Sequence, residues 1–217
     1  MKRTARVLVA FIILACGLLT GCVSNDPFDS SMVINYASVY GVHSLGSSAN
    51  VNTAIISFTN KNEPSAYYST QDKAEAQALY SRYYNKNNYY PAATNLNAAT
   101  VIVVKDVVVT LHYDSRCCIF YFDEISDAKA FFEACKPVLE KDRDAFKTGI
   151  KNDYEYAIAY AQTANRAGNC DYLMGAYLRG NSVILITGTS PQGLPDSFCD
   201  YIFEKIGVID PNSLKKK

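Results

Sequence analysis

Two histidines, His43 and His112, supply all the imidazole in the 217-residue chain. A nucleophile–histidine–acid relay needs one of them as its base. His112 and Asp114 stand two apart in a Val-rich stretch, so a strand would put them on one face. That spacing allows a base with an orienting carboxylate, but it is met equally by a partly buried strand histidine, the reading adopted here. Residues 188–193, Gly-Thr-Ser-Pro-Gln-Gly, lie between a strand-like and a helix-like segment, where a nucleophile elbow would sit. The elbow pattern is G-x-S-x-G, and Gln192 fills the place of its second glycine. Ser190 before Pro191 therefore reads as a helix cap with proline in the first turn. Cys117, Cys118, Cys135, Cys170 and Cys199 form no C-x-x-C, and neither histidine falls at zinc spacing from them. No metal site and no cofactor are expected, since phosphate-loop and dinucleotide patterns are also missing. Most of these thiols read as small buried hydrophobes, with Cys170 in a loop and one or two disulfides still allowed.

Tyrosine is the unusual component, with seventeen copies against no tryptophan. Tyr83, Tyr84, Tyr89 and Tyr90 bracket an Asn-rich stretch. Aromatic faces beside amides are what a sugar- or peptide-binding surface offers. Tyr84, Tyr89 and Tyr90 are accordingly the candidate binding residues and are expected to be exposed, with Tyr83 on a core face.

The elements that must carry these residues follow from periodicity. Val33, Tyr36, Ala37 and Tyr40 recur three and four apart and predict a helix ended by Gly41. Residues 53–59 and 66–69 read as strands separated by a turn at 60–64. Residues 71–84 predict a helix. Residues 100–113 read as a strand broken near Lys105 and Asp106, then a turn at 114–116 and a strand over 117–122. Ser126 is placed to cap a helix with Ala128, Phe131, Cys135, Val138 and Leu139 on one face, which Pro137 should kink or divide. Strands follow near 154–162, 172–178 and 183–187, the last two joined by a turn at 179–182. A closing helix spans about 195–206. The segments at 75–80 and 127–132 resemble one another, which fits two related halves or the coincidence of two Ala- and aromatic-rich helices. The fold class is α+β, a mostly antiparallel sheet with about four packed helices.

The N-terminus carries a different signal. Lys2, Arg3 and Arg6 precede an apolar run at 7–19, too short to span a bilayer core, which takes roughly 20 residues. That suits a secretory signal peptide. The run ends in Leu19-Thr20-Gly21-Cys22, which resembles the lipobox of bacterial lipoprotein precursors. The resemblance covers residues 1–22. It implies acylation of the Cys22 thiol, removal of residues 1–21 and anchoring to a bacterial membrane outside the cytoplasm. Residues 22–31 then read as lipidated cysteine and linker, and residues 32–217 as the extracytoplasmic domain.

Cleavage would remove three bases and no acid, leaving 18 bases against 21 acids, a net charge of −3. Such a balance offers nothing to neutralise a phosphate backbone, so nucleic acid is not an expected partner. The expected partners are the membrane through Cys22, and a glycan, a peptide or another envelope protein. The leading functional reading is a non-catalytic binding or surface-interaction module of the envelope. A structural or assembly role comes second, and a hydrolase or thiol-dependent enzyme third.

Overall fold

The computed structural model describes residues 25–46, 49–108, 111–165, 168–192 and 196–215. Eight strands form one sheet in the order β1-β2-β3-β4-β8-β7-β6-β5. They are β1 His43–Ser44, β2 Ala66–Thr70, β3 Leu96–Val108, β4 Leu111–Phe122, β5 Ala145–Lys151, β6 Tyr154–Asn165, β7 Gly168–Arg179 and β8 Ser182–Pro191. Among the described residues only the β1–β2 pair is parallel. The helices are α1 Ser30–Ser38, α2 Val51–Thr59, α3 Lys73–Ala78 continuing as a π-helical segment Leu79–Tyr84, α4 Ile125–Glu140 and α5 Ser197–Lys205, followed by a 3-10 turn Pro211–Leu214. The class is α+β, with one α-helix more than the sequence predicts.

Both faces of the sheet are covered, and strand alternation decides which residue meets which layer. Val101, Val103, Cys118, Phe120, Phe122, Met174, Ala176 and Leu185 pack under α2, α3 and α4. Ile102, Cys117, Ile119, Tyr177, Ile184 and Ile186 pack under α1 and α5. The adjacent Cys117 and Cys118 thus belong to opposite cores. After β4 the chain must reach the far edge before the β5–β8 meander can return and pair β8 with β4. That crossing is four strand spacings, roughly 19 Å, and a 16-residue helix such as α4 spans about 24 Å. The strands therefore fall into two groups of four that meet at β4–β8, while the helices after β4 and β8 lie on opposite faces.

Three local readings of the sequence are corrected. Residues 53–59 are helical, not a strand. Asn50 caps α2 by accepting from the amides of Asn52 and Thr53, and Lys105 donates to the carbonyls of Ser57 and Asn60 at its other end. A cation at the last carbonyls favours the helix there and overrides the β-branched residues. The β3–β4 hairpin turns between Val108 and Leu111, so residues 114–116 are strand rather than turn. The β3 flank of that hairpin carries valine rather than turn residues, and Ser115 is buried with its hydroxyl donating to Asp196 at 2.6 Å. Ser190 lies in β8, and α5 is capped instead by Asp196, whose carboxylate accepts from the Cys199 amide at 3.0 Å. Two further differences are smaller. Helix α4 starts after Glu124 without a side-chain cap, and it continues through Pro137 undivided. Strand β5 was not expected, because an exposed edge with two lysines lacks clear alternation.

The C-terminal turn is fastened to α5 through acids. Asn212 donates through Nδ2 to Asp200 at 2.6 Å and through its amide to Asp210 at 2.7 Å. Burial, then the neighbouring Asp210 and Asp196, push Asp200 up to about 6 from its ordinary 3.8, against the opposing pull of Lys215. A carboxyl that binds its proton more tightly in the folded state stabilises the fold at low pH and loses that contribution as pH rises through its folded value. Asp200→Asn keeps an acceptor for Asn212 and removes the charge. The variant is expected to melt higher than wild type at about pH 7.5 and to show no such gain at about pH 3.5, below the ordinary value. Thermal melts at the two pH values measure this.

Candidate functional site

The stretch that the sequence singles out, residues 84–90, is held in place by two devices. The first is the π-helical turn. The Asn85 amide donates to the Tyr80 carbonyl at 2.7 Å, five residues back, and the wider turn keeps Leu79, Tyr80, Tyr83 and Tyr84 all buried. Such insertions in helices recur at functional sites. The second is Asn85 itself. Its Nδ2 donates to the Tyr90 carbonyl at 2.9 Å, and its Oδ1 accepts from the Tyr90 amide at 2.7 Å. This two-way clip folds the loop back on the helix and carries the Tyr90 ring into the core.

The expected exposure is therefore corrected for two of the three tyrosines. Tyr84 and Tyr90 are each 9% exposed, while Tyr89 is 46% exposed. Tyr84 packs 4.9 Å from Tyr90 and edge-on to Phe120. A loop without aliphatic residues can still supply core, because a tyrosine ring buries as much surface as any side chain that the loop lacks. Tyr83 lies in the core, as its spacing predicts.

Around Tyr172 two arginines gather that sequence reading did not single out. Arg143 donates through Nη2 to the Tyr89 hydroxyl, and its guanidinium lies 5.4 Å over the Tyr172 ring. Among the described residues no carboxylate lies within ion-pair distance of Arg143, and its Nε is buried without a hydrogen-bond partner. Arg116 lies 5.4 Å over the Tyr83 ring and 3.6 Å from Asp114. Burial pushes the Tyr172 hydroxyl above its ordinary value, and both arginines pull it back, so the two cations work on one tyrosine. Burial raises Tyr84 more strongly still. The Tyr83 hydroxyl is buried without a hydrogen-bond partner, and the buried Tyr84 hydroxyl faces that of Tyr90. Thr187 and Thr189 share the face of Arg116 and Tyr172 by register. The result is a half-open wall of rings with cationic forks at its rim. A guanidinium fork matches carboxylate or phosphate, and tyrosine faces suit a flat or apolar neighbour of that anion.

Arg116 was hidden in Asp-Ser-Arg, which has the composition of a turn. The alternation of 114, 116 and 118 on one strand face was the signal that could have found it. Arg143 lies in a charged run, Lys-Asp-Arg-Asp, and no sequence pattern separates it from a solvated loop.

The other candidates do not converge. Cys22 lies outside the described residues. His43 is exposed on the short edge strand β1. His112 lies opposite Val107 in β4, and its side chain is outside the described ones. Asp114 pairs with Arg116. Cys117, Cys118, Cys135 and Cys199 are buried thiols. Burial pushes all four up, Cys118 to about 12, which disfavours the nucleophilic thiolate. Cys170, expected in a loop, is buried in β7. Among the described residues no group of three or more His, Cys, Asp or Glu could hold a metal, and no helix is long and apolar enough to cross a membrane. A hollow of about 290 Å³ at Asp144, Tyr160, Gln162 and Lys215 has its polar groups already engaged. Asp144 accepts from the Gln162 amide at 2.5 Å, and Tyr160 and Lys215 are both held by Asp171 at 2.8 Å.

Opposite outcomes are expected for neighbouring tyrosines. Tyr84→Ala should cost about 3–5 kcal/mol, the range for emptying a large aromatic from a core. Tyr89→Ala should stay within about 0.5 kcal/mol. Tyr83→Phe removes an unpaired buried hydroxyl and should be neutral or stabilising. Urea melts measure all three. In the same samples, the five buried thiols should react with an alkylating reagent only after denaturant is added.

No protein-family model and no curated protein matches the chain. Among solved structures it is similar to the extracellular domain of PknH from Mycobacterium tuberculosis, with a TM-score of 0.40 and 13% identity, over 89% of this chain and 100% of that one. A likeness this loose extends to neither site nor activity.

Proposed function

We propose that the chain is a lipid-anchored, non-catalytic binding module of the bacterial cell envelope, and that it takes an anionic ligand at the Tyr89–Arg143 surface. The observation that carries the site is Arg143. It is a half-buried guanidinium without a carboxylate partner among the described residues, set between Tyr89 and Tyr172 with a buried unpaired Nε. Leaving such a donor unpaired costs stability, which an arriving carboxylate or phosphate would recover. The anchor rests on the charged and apolar N-terminal segment and the lipobox-like Leu19-Thr20-Gly21-Cys22. Two or three acyl chains suffice for stable anchoring, at about 0.8 kcal/mol per buried methylene. Binding is favoured over thiol catalysis because the described thiols are sealed and held protonated. Glycans, peptides and envelope proteins all carry the required anion. A purely structural envelope role is the second reading; it calls for a large apolar patch, and the exposed apolar residues Val39, Ile56 and Ile150 are dispersed over different elements, which counts against it.

Two measurements test the two halves. Radiolabelled fatty acid should enter the wild-type protein and not Cys22→Ala; equal labelling refutes the anchor. On an array of acidic and neutral glycans and peptides, wild type should retain acidic probes. Arg143→Gln should weaken that binding roughly ten- to hundred-fold, the worth of a hydrogen bond to a charged group, with its melting temperature little changed. Equal retention by the variant, or preference for neutral probes, removes the binding reading.

A further inference from the structure

Residues 25–30, expected as linker, are held against the domain. Phe28 is 3% exposed. Its amide donates to Ser182 Oγ at 2.8 Å, its carbonyl accepts from the Tyr121 hydroxyl at 2.8 Å, and the Ser30 amide donates to that same hydroxyl at 3.1 Å. Arg179 lies 4.4 Å over the Phe28 ring and donates to the Pro27 carbonyl at 3.1 Å. Gly180, in the left-handed region at φ +55°, is the tip of the β7–β8 turn, and a side chain there would run into the Asn25 and Asp26 backbone. Residues 25–30 are thus a strap seated on one end of the sheet.

We infer that this strap fixes the orientation of the domain on the membrane, with the β7–β8 turn and the end of β4 facing the lipid and the Tyr89–Arg143 surface facing away. The inference rests on lipidation of Cys22. Pro27 is five residues on from Cys22, and a chain reaches at most about 3.3–3.6 Å per residue, so Pro27 lies within roughly 17 Å of the acylated cysteine. A free linker would let the domain tumble, whereas a seated strap transmits this short reach to the sheet. The end of β4 joins the same end, since the Phe122 amide donates to the Asn181 carbonyl at 2.9 Å. Tyr172 stands seven residues along β7 from Arg179, roughly 23 Å further out at strand rise. The hollow of about 480 Å³ beside the strap, bordered by Phe28, Asp29, Gln71, Asn97, Tyr121 and Asn181, then opens toward the lipid headgroups.

Paramagnetic relaxation on the full, lipidated protein tests this. The buried thiols spare an introduced surface cysteine from competition, so a spin label is placed by Glu124→Cys at the strap end or by Asn169→Cys at the other. The protein is reconstituted in phosphatidylcholine vesicles carrying a nickel-chelating lipid. The two positions differ in height by roughly 30 Å, so relaxation enhancement at 124 should exceed that at 169 at least about five-fold. Inserting twenty Gly and Ser residues between Val23 and Ser24 should erase the difference, because such a linker spans roughly 25 Å on its own. Equal enhancement at 124 and 169 in protein shown by mass to be acylated overturns the orientation and leaves the anchor standing. Lack of acylation on Cys22 overturns the anchor and the orientation with it. Persistence of the difference after the insertion shows that something other than the strap orients the domain and likewise overturns the proposal.

Discussion

The pairing of β4 with β8 is the joint on which the other contacts depend. It runs from Arg116–Thr187 to Tyr121–Ser182 and connects two groups of strands that have no other shared ladder. Strand β8 can reach β4 only because α4 first carries the chain across one face. Strand β4 is then buried on both sides, and nothing polar can stand in its centre without a partner. Cys117, Cys118, Ile119 and Phe120 meet that demand as an unbroken apolar run. Where a polar residue does enter the central strands, it is tied down. Ser115 donates to Asp196 at 2.6 Å, and that same aspartate caps α5, so one carboxylate joins the joint to the helix that covers it.

The parts of the fold that follow a single strong rule are legible in the sequence. The turn at Gly180 and Asn181, the helical faces of α1 and α4, and β6 to β8 are of this kind. So is the placement of most thiols in the core, where a small polarisable side chain fills a gap without needing a donor. What fails does so where a distant residue decides. Helix α2 depends on Lys105, forty-five residues from Asn60, and no window around residues 51–59 contains it. The β3–β4 hairpin hides its turn because the residues around it, from Val107 to Tyr113, include no Gly, Pro or Asn, so no local turn chemistry marks the reversal.

The candidate site shows the same division at closer range. Sequence reading locates the right stretch, because tyrosines beside asparagines are scarce enough to stand out. It cannot tell which rings face outward. That is set by the Asn85 clip, an interaction of one amide with a backbone five residues away, and composition does not distinguish a clipping asparagine from a solvated one. The arginines are less legible still. Arg116 and Arg143 come from opposite sides of the β4–β8 joint in chain order, and only the closed sheet brings both to bear on Tyr172.

That closure also explains why the polar strain of the molecule is concentrated. Among the described residues, Tyr83 Oη and Arg143 Nε are buried without a partner, and both belong to this one wall. Phenylalanine at 83 would fill the same volume without the unsatisfied hydroxyl. The packing therefore gives no reason for tyrosine at that place. The π-helical turn compounds the point, since an ordinary α-helical turn has the better hydrogen-bond geometry. Three departures from the most stable arrangement, lying within one cluster, are what a surface shaped for recognition rather than for stability looks like. The strap at the other end is the contrast: its amide and carbonyl groups find Ser182, Tyr121 and Arg179 in turn, and it tightens the fold where it holds the chain. Rigidity at the entry point and unspent hydrogen-bonding capacity at the far end together give the domain a polarity that neither feature has alone.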